Sequence, residues 1–333
     1  MRNIHSIQVL RAIAAIGVVL VHAGIDFNYW GHASINWHIR GAAGVDLFFV
    51  ISGFVMVYIS KPHFGQGDTW MTFILRRIIR IVPLYWLVTT FYAFSGGHPL
   101  HQIISSYLFI PDVEGAPPLL AQGWTLRYEM FFYLLFSMCL VFPLRMAVAI
   151  VCGMLVVLVL ARVPFYGAPL VLEFSLGALV GWAYCEGLRM PRWMALGCMA
   201  VGFIAVIAQA DHSEHFRLIE WGVPATLIVA GATLTKPLLQ GPASGWASRI
   251  GDSSYALYLI HEPITRGVAT AMRDGLHIML ASHAAAYLTL AIAAATFIAI
   301  LLHDYIEAPI IAFLKTRYVR ASATASLEHR QAT

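Results

Sequence analysis

The sequence predicts an all-α, polytopic integral membrane bundle of about ten transmembrane helices with both termini cytoplasmic. Three observations carry that expectation. The 333 residues are 59% hydrophobic and only 11% charged, whereas a soluble domain carries about a quarter charged residues. The apolar residues recur from end to end in runs close to the roughly 20 residues a helix needs to cross the hydrocarbon of a bilayer. Lys and Arg, finally, are unevenly shared between alternate connectors. This composition excludes a soluble enzyme, and no hydrophilic block is large enough for an added soluble domain. The opening "MRNIHSIQVL" lacks the short basic start of a signal peptide, and no small-residue cleavage site precedes Asp26, so the first apolar run is expected to be retained.

In chain order the spans are expected at 7–25, 42–60, 78–96, 123–143, 145–161, 167–186, 193–209, 218–235, 252–272 and 279–303. Connectors such as "FPLRM" (142–146) are short enough to force antiparallel hairpins. With the N-terminus inside, fourteen Lys and Arg residues fall on the inner side, and only Arg40, Arg162, Arg217 and Arg273 on the outer. The longest outer connector, 97–122, contains neither Lys nor Arg, and its middle, "LHQIISSYLFI", is apolar enough to lie along the membrane surface. The domain reading is therefore a transmembrane domain over 1–312 and a polar cytoplasmic tail over 313–333, expected to be disordered. Cys139, Cys152, Cys185 and Cys198 each stand alone in an apolar run, which argues against disulfides and thiolate metal sites. "HPLH" (98–101) and "HSEH" (212–215) have ligand-like spacing but no further ligands nearby; no metal and no nucleic-acid partner are expected.

Charged groups inside spans are costly, roughly 2.5–3.5 kcal/mol each on insertion scales, and usually mark a site or pathway. Arg11 and His22 lie eleven residues apart in the first span. That separation is about 20° short of or past whole turns, so they share a face, roughly 16 Å apart along the axis. Structural roles are also open to them, as a snorkelling Arg and a packing His. Glu129 in "GWTLRYEMFFYLLF" lies a turn or two below Trp124 at the outer interface, at a depth expected to match His22. Arg127, two residues away, points to another face. The ninth span, "SSYALYLIHEPITRG", places Tyr258 and His261 one turn apart. Span two contributes Asp46 near the outer surface and Ser52 beside Gly53, where small residues favour close helix packing. Arg76, Arg77 and Arg80 in "FILRRIIRIVPLYW" form a cationic cluster at the inner surface. It suits either anionic lipid headgroups or the phosphates of a cytoplasmic ligand.

These landmarks, taken in order, resemble the acyltransferase-3 family of bacterial membrane O-acyltransferases, particularly its short members linked to exopolysaccharide production. The resemblance covers about residues 5 to 312. It is carried by "LRAIAAIGVVLVH" with its Arg-x10-His, "GVDLFFVISGF", "RRIIRIVPLYW", "WTLRYEMFFY", "SYALYLIH" and "YIEAP". The resemblance implies ten transmembrane helices in a bacterial inner membrane. It also implies use of cytoplasmic acyl-CoA, usually acetyl-CoA, to modify a carbohydrate or lipid-linked glycan on the far side. The family's important residues then fall on Arg11, His22, Arg77, Arg80, Trp124, Glu129, Ser52, Tyr258 and His261. Some relatives carry an extra hydrolase-like domain that helps acylate the final acceptor; with only a short tail after its last span, this chain is expected to act alone or with a separate partner.

Acyl transfer to a hydroxyl needs a base for the alcohol proton and a held electrophile. His22 is expected to be the base, with Glu129 supporting it as the carboxylate does in a hydrolytic triad. Arg76, Arg77 and Arg80 would hold the CoA phosphates, with Ser52, Tyr258 and His261 along the donor path and Asp46, Trp124 and Arg127 toward the acceptor. An extended pantetheine arm of about 15–20 Å spans the axial gap between Arg11 and His22. Arg11 either lines that channel or braces a carboxylate such as Glu307. Direct transfer and an acyl-His or acyl-Ser52 intermediate are both open. From another class, a proton-coupled transporter of a lipid-linked sugar would use Glu129, His22 and Asp46 as a relay. Such a relay has no need of the arginine cluster.

Overall fold

The computed structural model describes residues 4–31, 40–67, 69–94, 96–208, 216–236, 242–275 and 281–319. Within them the chain is helical, with no strand. In order, the helices are α1 (His5–Gly31), α2 (Gly44–Ser60), α3 (Thr69–Phe94), α4 (Leu100–Leu108), α5 (Gly123–Cys139), α6 (Leu144–Leu160), α7 (Leu172–Cys185), α8 (Arg192–Ala208), α9 (Val223–Thr233), α10 (Pro242–Asp252), α11 (Ser254–Thr270), α12 (Ala284–Leu302) and α13 (Ala308–Leu314). A helix falls on each of the ten predicted segments. Three stretches, His5–Tyr29, Gly41–His63 and Ala284–Tyr318, are by themselves long and apolar enough to cross a membrane. Shorter apolar helices occupy Leu144–Leu160, Pro169–Cys185, Arg192–Ala208 and Leu218–Thr233.

Two helices depart from the expectations. The apolar part of the 97–122 connector coils into α4. The polar connector before the ninth segment forms α10, which packs on α1. The helix that begins at α12 also runs on through α13 and a last π-helical turn, Lys315–Val319, into the region expected to begin the tail. Residues 320–333 lie outside the described residues, as does the "HSEH" stretch.

The chain divides into two compact units. One is Met1–Ile59 with Met154–Ile300, the other Ser60–Gly153 with Leu301–Thr333. In the first, Leu10, Ala14, Val50, Phe54, Ala225, Ile228 and Val229 form a buried core shared by α1, α2 and α9. Helices in lipid gain little from burying apolar surface against one another, so close packing of small residues must hold them. The contact of α2 with α7 shows this. A Cβ added to Gly53 would stand 2.1 Å from the Phe174 carbonyl oxygen, and one on Gly177 would stand 2.0 Å from that of Val50. Only glycine permits backbones that near. A second core joins Ala23 and Phe27 of α1 to Ala269, Met272, Tyr287 and Ala291, and α1 runs along α11.

In the other unit α3 packs against α4, α5, α13 and the Lys315–Val319 turn. Pro83 interrupts α3 and Pro263 interrupts α11. Two further prolines loosen the ladder, Pro224 inside the predicted span 218–235 and Pro309 beyond the last predicted span. Pro224 follows the π-helical turn Leu218–Gly222, and Pro309 follows His303–Glu307. A proline has no N–H to return to the preceding turn, and the wider π turn redirects the side chains it carries.

Candidate active site

Two polar clusters stand inside apolar surroundings, one in each unit. The first is a ladder between α1 and α11. His22 and Asp26 are one turn apart on α1; Glu262 and Arg266 are one turn apart on α11. The Nδ1 of His22 lies 3.2 Å from Oε1 of Glu262. The other oxygen of Glu262 accepts from Arg266 at 3.2 Å, and the Nε of Arg266 stands 3.6 Å from Asp26. Thr265 donates to Asp26 at 2.7 Å, and Tyr287 donates to the Thr265 carbonyl. The His22 side chain is 35% exposed and that of Glu262 only 9%, so the imidazole is reachable while its carboxylate is sheltered. A carboxylate at Nδ1 fixes the proton there and leaves Nε2 as the basic nitrogen.

His261 packs edge-on to His22, ring centroids 4.9 Å apart at 76°. Its Nδ1 donates to the carbonyls of Tyr258 and Leu257 at 2.9 and 3.2 Å, which orients the buried ring. The Tyr258 ring lies between His261 and Phe48. At the other end of α1, Arg11 donates to Gln8, itself held by Asp252 of α10.

The second cluster is cationic. Arg76, Arg77 and Arg80 project from α3. The guanidinium of Arg77 is flanked by the rings of Phe73 and Tyr133 at 5.8 and 6.0 Å, and its Nε is buried with no hydrogen-bond partner. Arg80 is paired with Glu307, whose second oxygen takes His303 at 2.8 Å. Glu307 is delivered by the π turn that precedes Pro309. Glu129 of α5 accepts from the Tyr133 hydroxyl and contributes negative potential at Arg77.

The remaining predicted residues are placed as follows. Asp46, expected toward the acceptor, is fully buried and held by both Nε and Nη2 of Arg217, at 2.9 and 3.1 Å. That ion pair is closed from solvent and ties Asp46 of α2 to Arg217, where the sequence pointed to a contact toward the acceptor. Ser52 is buried beside the Gly53 crossing. Arg127 is buried near Tyr85, and Trp124 meets Tyr128 edge-on. The carboxylate set against His22 is that of Glu262, where the sequence pointed to Glu129.

Residues 4–304 match the family described as acyltransferase domain. The chain belongs to the acyltransferase-3 family. This acyltransferase is 33% identical over 304 residues to the exopolysaccharide production protein ExoZ of Rhizobium meliloti, covering 84% of its own length and 93% of the relative's. It is 26% identical to the acyltransferase MdmB of Streptomyces mycarofaciens over 96% of its length and 94% of that protein's. The O-acetyltransferase OatA of Staphylococcus aureus matches 43% of it at 28% identity, using 26% of that longer protein. No solved structure matches it. With its family and its apolar helices, the acyltransferase is an integral membrane protein.

Sequence reasoning missed Glu262, Asp26 and Thr265. The signal was present, since Glu262 follows His261 directly inside an apolar run and carries the same insertion cost as Glu129. Its role depends on α11 lying along α1, which no local pattern states. Donor atoms of His22, His261 and Glu262 lie within 4.8 Å of one another. Two imidazoles and a carboxylate are a set that zinc accepts. A metal there would occupy the ring lone pairs that base catalysis requires.

Proposed function

We propose that this acyltransferase moves an acetyl group from cytoplasmic acetyl-CoA to a hydroxyl of an extracytoplasmic polysaccharide or lipid-linked glycan. In this reading it crosses the inner membrane ten times, with both termini in the cytoplasm. The pairing of His22 with Glu262 carries the reading. An imidazole oriented by a sheltered carboxylate and reachable on its other side is the arrangement a general base needs. The Nε2 of His22 takes the proton as the acceptor oxygen bonds to the thioester carbonyl carbon. The tetrahedral intermediate then expels the CoA thiolate, which recovers the proton from the imidazolium. Glu262 stabilises the charged ring, and Arg266 with Asp26 and Thr265 fixes Glu262. Glu129 is assigned to the donor side, through Tyr133 and Arg77.

Arg76, Arg77 and Arg80 hold the CoA phosphates; guanidinium forks match phosphate oxygens. The glycan acceptor draws on the relative whose name states exopolysaccharide production. The test uses inside-out vesicles given acetyl-CoA labelled in its acetyl group, with glycan and lipid-glycan fractions counted. Label in the glycan, lost in His22→Ala and Glu262→Ala, is the expected result. No label in wild type with the native glycan present would overturn the acetyl-CoA reading and reopen a transport role.

A further inference from the structure

The arginine cluster of α3 has a neighbour that the sequence assigned to a disordered tail. The helical turn Lys315–Val319 packs on α3, and the ammonium of Lys315 lies within the positive field of Arg80, Arg77 and Arg76. Lys315 is exposed. Among the described residues, no carboxylate forms an ion pair with Lys315, Arg76 or Arg77. Three arginines and Lys315 therefore gather around Glu307, which pairs with Arg80, and Glu129, whose field reaches Arg77. Like charges gathered this way repel, and a fold keeps such a cluster where an anion is to be bound.

The four cations differ in depth. Arg77 has a buried Nε, held between two rings, whereas Lys315 stands at the exposed rim. A CoA thioester has a matching order of charge. Its pyrophosphate adjoins the pantetheine arm, and its third phosphate sits farther from the thioester, on the 3′ oxygen of the ribose. An arm directed inward brings the pyrophosphate to the deeper arginines and leaves the 3′-phosphate outside them. We propose that Lys315 is a specificity residue that binds the ribose 3′-phosphate of the donor. The enzyme thereby distinguishes CoA thioesters from acyl groups carried on pantetheine lacking that phosphate. This rests on the acyl-CoA reading above.

The test is direct binding, by calorimetry, of CoA and 3′-dephospho-CoA to the full chain purified in neutral detergent. Wild type is expected to bind CoA about tenfold more tightly, as loss of one charge-assisted contact implies. Lys315→Gln lowers CoA affinity by that factor and leaves dephospho-CoA unchanged, while Lys315→Arg keeps the preference. If Lys315→Gln weakens both ligands equally or neither, and Arg77→Gln still weakens binding of both, the inference falls and the CoA site stands. If wild type binds neither ligand, the acyl-CoA reading itself falls. A parallel titration with phosphatidylglycerol micelles addresses a lipid phosphate as the partner. An unchanged CoA preference with weakened lipid binding in Lys315→Gln would also overturn the proposal.

Discussion

The two polar clusters handle charge in opposite ways. On the α1–α11 ladder each charge meets a partner: His22 meets Glu262, Glu262 meets Arg266, and Arg266 meets Asp26. On α3, Arg76 and Arg77 face no ion-pair partner among the described residues, and Lys315 adds to their charge. A compensated network holds side chains in place without a ligand, which suits groups that must be aligned before chemistry begins. A cluster with more cations than paired carboxylates gains stability when an anion arrives, which suits binding. The proposed division of labour, catalysis on the ladder and donor binding at the cluster, follows from that difference.

Substitutions on the ladder provide the largest expected effects. His22→Ala removes the proposed base, and labelled acetyl transfer is expected to fall by about 10²–10⁴-fold with acetyl-CoA binding retained. Loss of binding in parallel with activity would erase the contrast between the clusters. Glu262→Gln keeps the side-chain volume but not its charge, and a smaller fall in kcat is expected, with little change in donor KM.

The donor cluster predicts the opposite pattern. Arg77→Gln is expected to raise the KM for acetyl-CoA by about 10–100-fold, from loss of charge-assisted phosphate contacts, with a smaller change in kcat. An unaltered KM would leave membrane anchoring as the cluster's role. The Asp46–Arg217 pair sharpens the comparison through stability. Asp46→Asn removes the carboxylate charge from a buried ion pair, at a cost of about 3 kcal/mol. A lower thermal midpoint in detergent, with the acceptor KM of the remaining folded protein unchanged, is the expected result.

The smallest effect concerns the connector that carries α4. Asp112 accepts from His101, Ser105 and the backbone N–H groups of Glu114 and Ala116. These bonds hold its carboxyl down at about 2, and the carboxylate raises His101 above its ordinary range. The His101 contribution is complete below the ordinary imidazole range and is lost as pH rises through its raised value. That of Asp112 is complete above the ordinary carboxylate range and is lost as pH falls through about 2. Hydrogen-exchange protection across residues 100–116, with rates corrected for the intrinsic pH dependence of amide exchange, should therefore be greatest between about pH 4 and 6.5, and flatter with pH in His101→Gln.

Legibility in the sequence followed the range of the interaction. The apolar runs of "LRAIAAIGVVLVHAG" and "GVDLFFVISGFVM" mark helices because length and hydropathy are local properties. His22, His261 and Arg77 were visible because an ionisable group in such a run is itself unusual. Partners were not visible. Glu262 lies 240 residues beyond His22, and Arg217 lies 171 beyond Asp46, and only packing joins them. Lys315 looked like the start of a tail because its neighbours are polar, whereas the fold extends the preceding helix through it. The π turn that presents Glu307 leaves no pattern beyond Pro309 nearby.

The ladder has a consequence for how the chain assembles. The contacts climb in the same direction on both helices, so α1 and α11 run parallel there, with His22 level with Glu262 and Asp26 level with Arg266. If α11 were displaced by one helical turn, about 5.4 Å, one direction would bring His22 against the Arg266 cation. The other would bring the Asp26 and Glu262 carboxylates together. Either error sets groups of like or incompatible charge face to face beside the sheltered carboxylates of Glu262 and Asp26. The residues that hold His22 thus also act as a vernier, admitting one alignment of the first helix with a segment made more than 200 residues later.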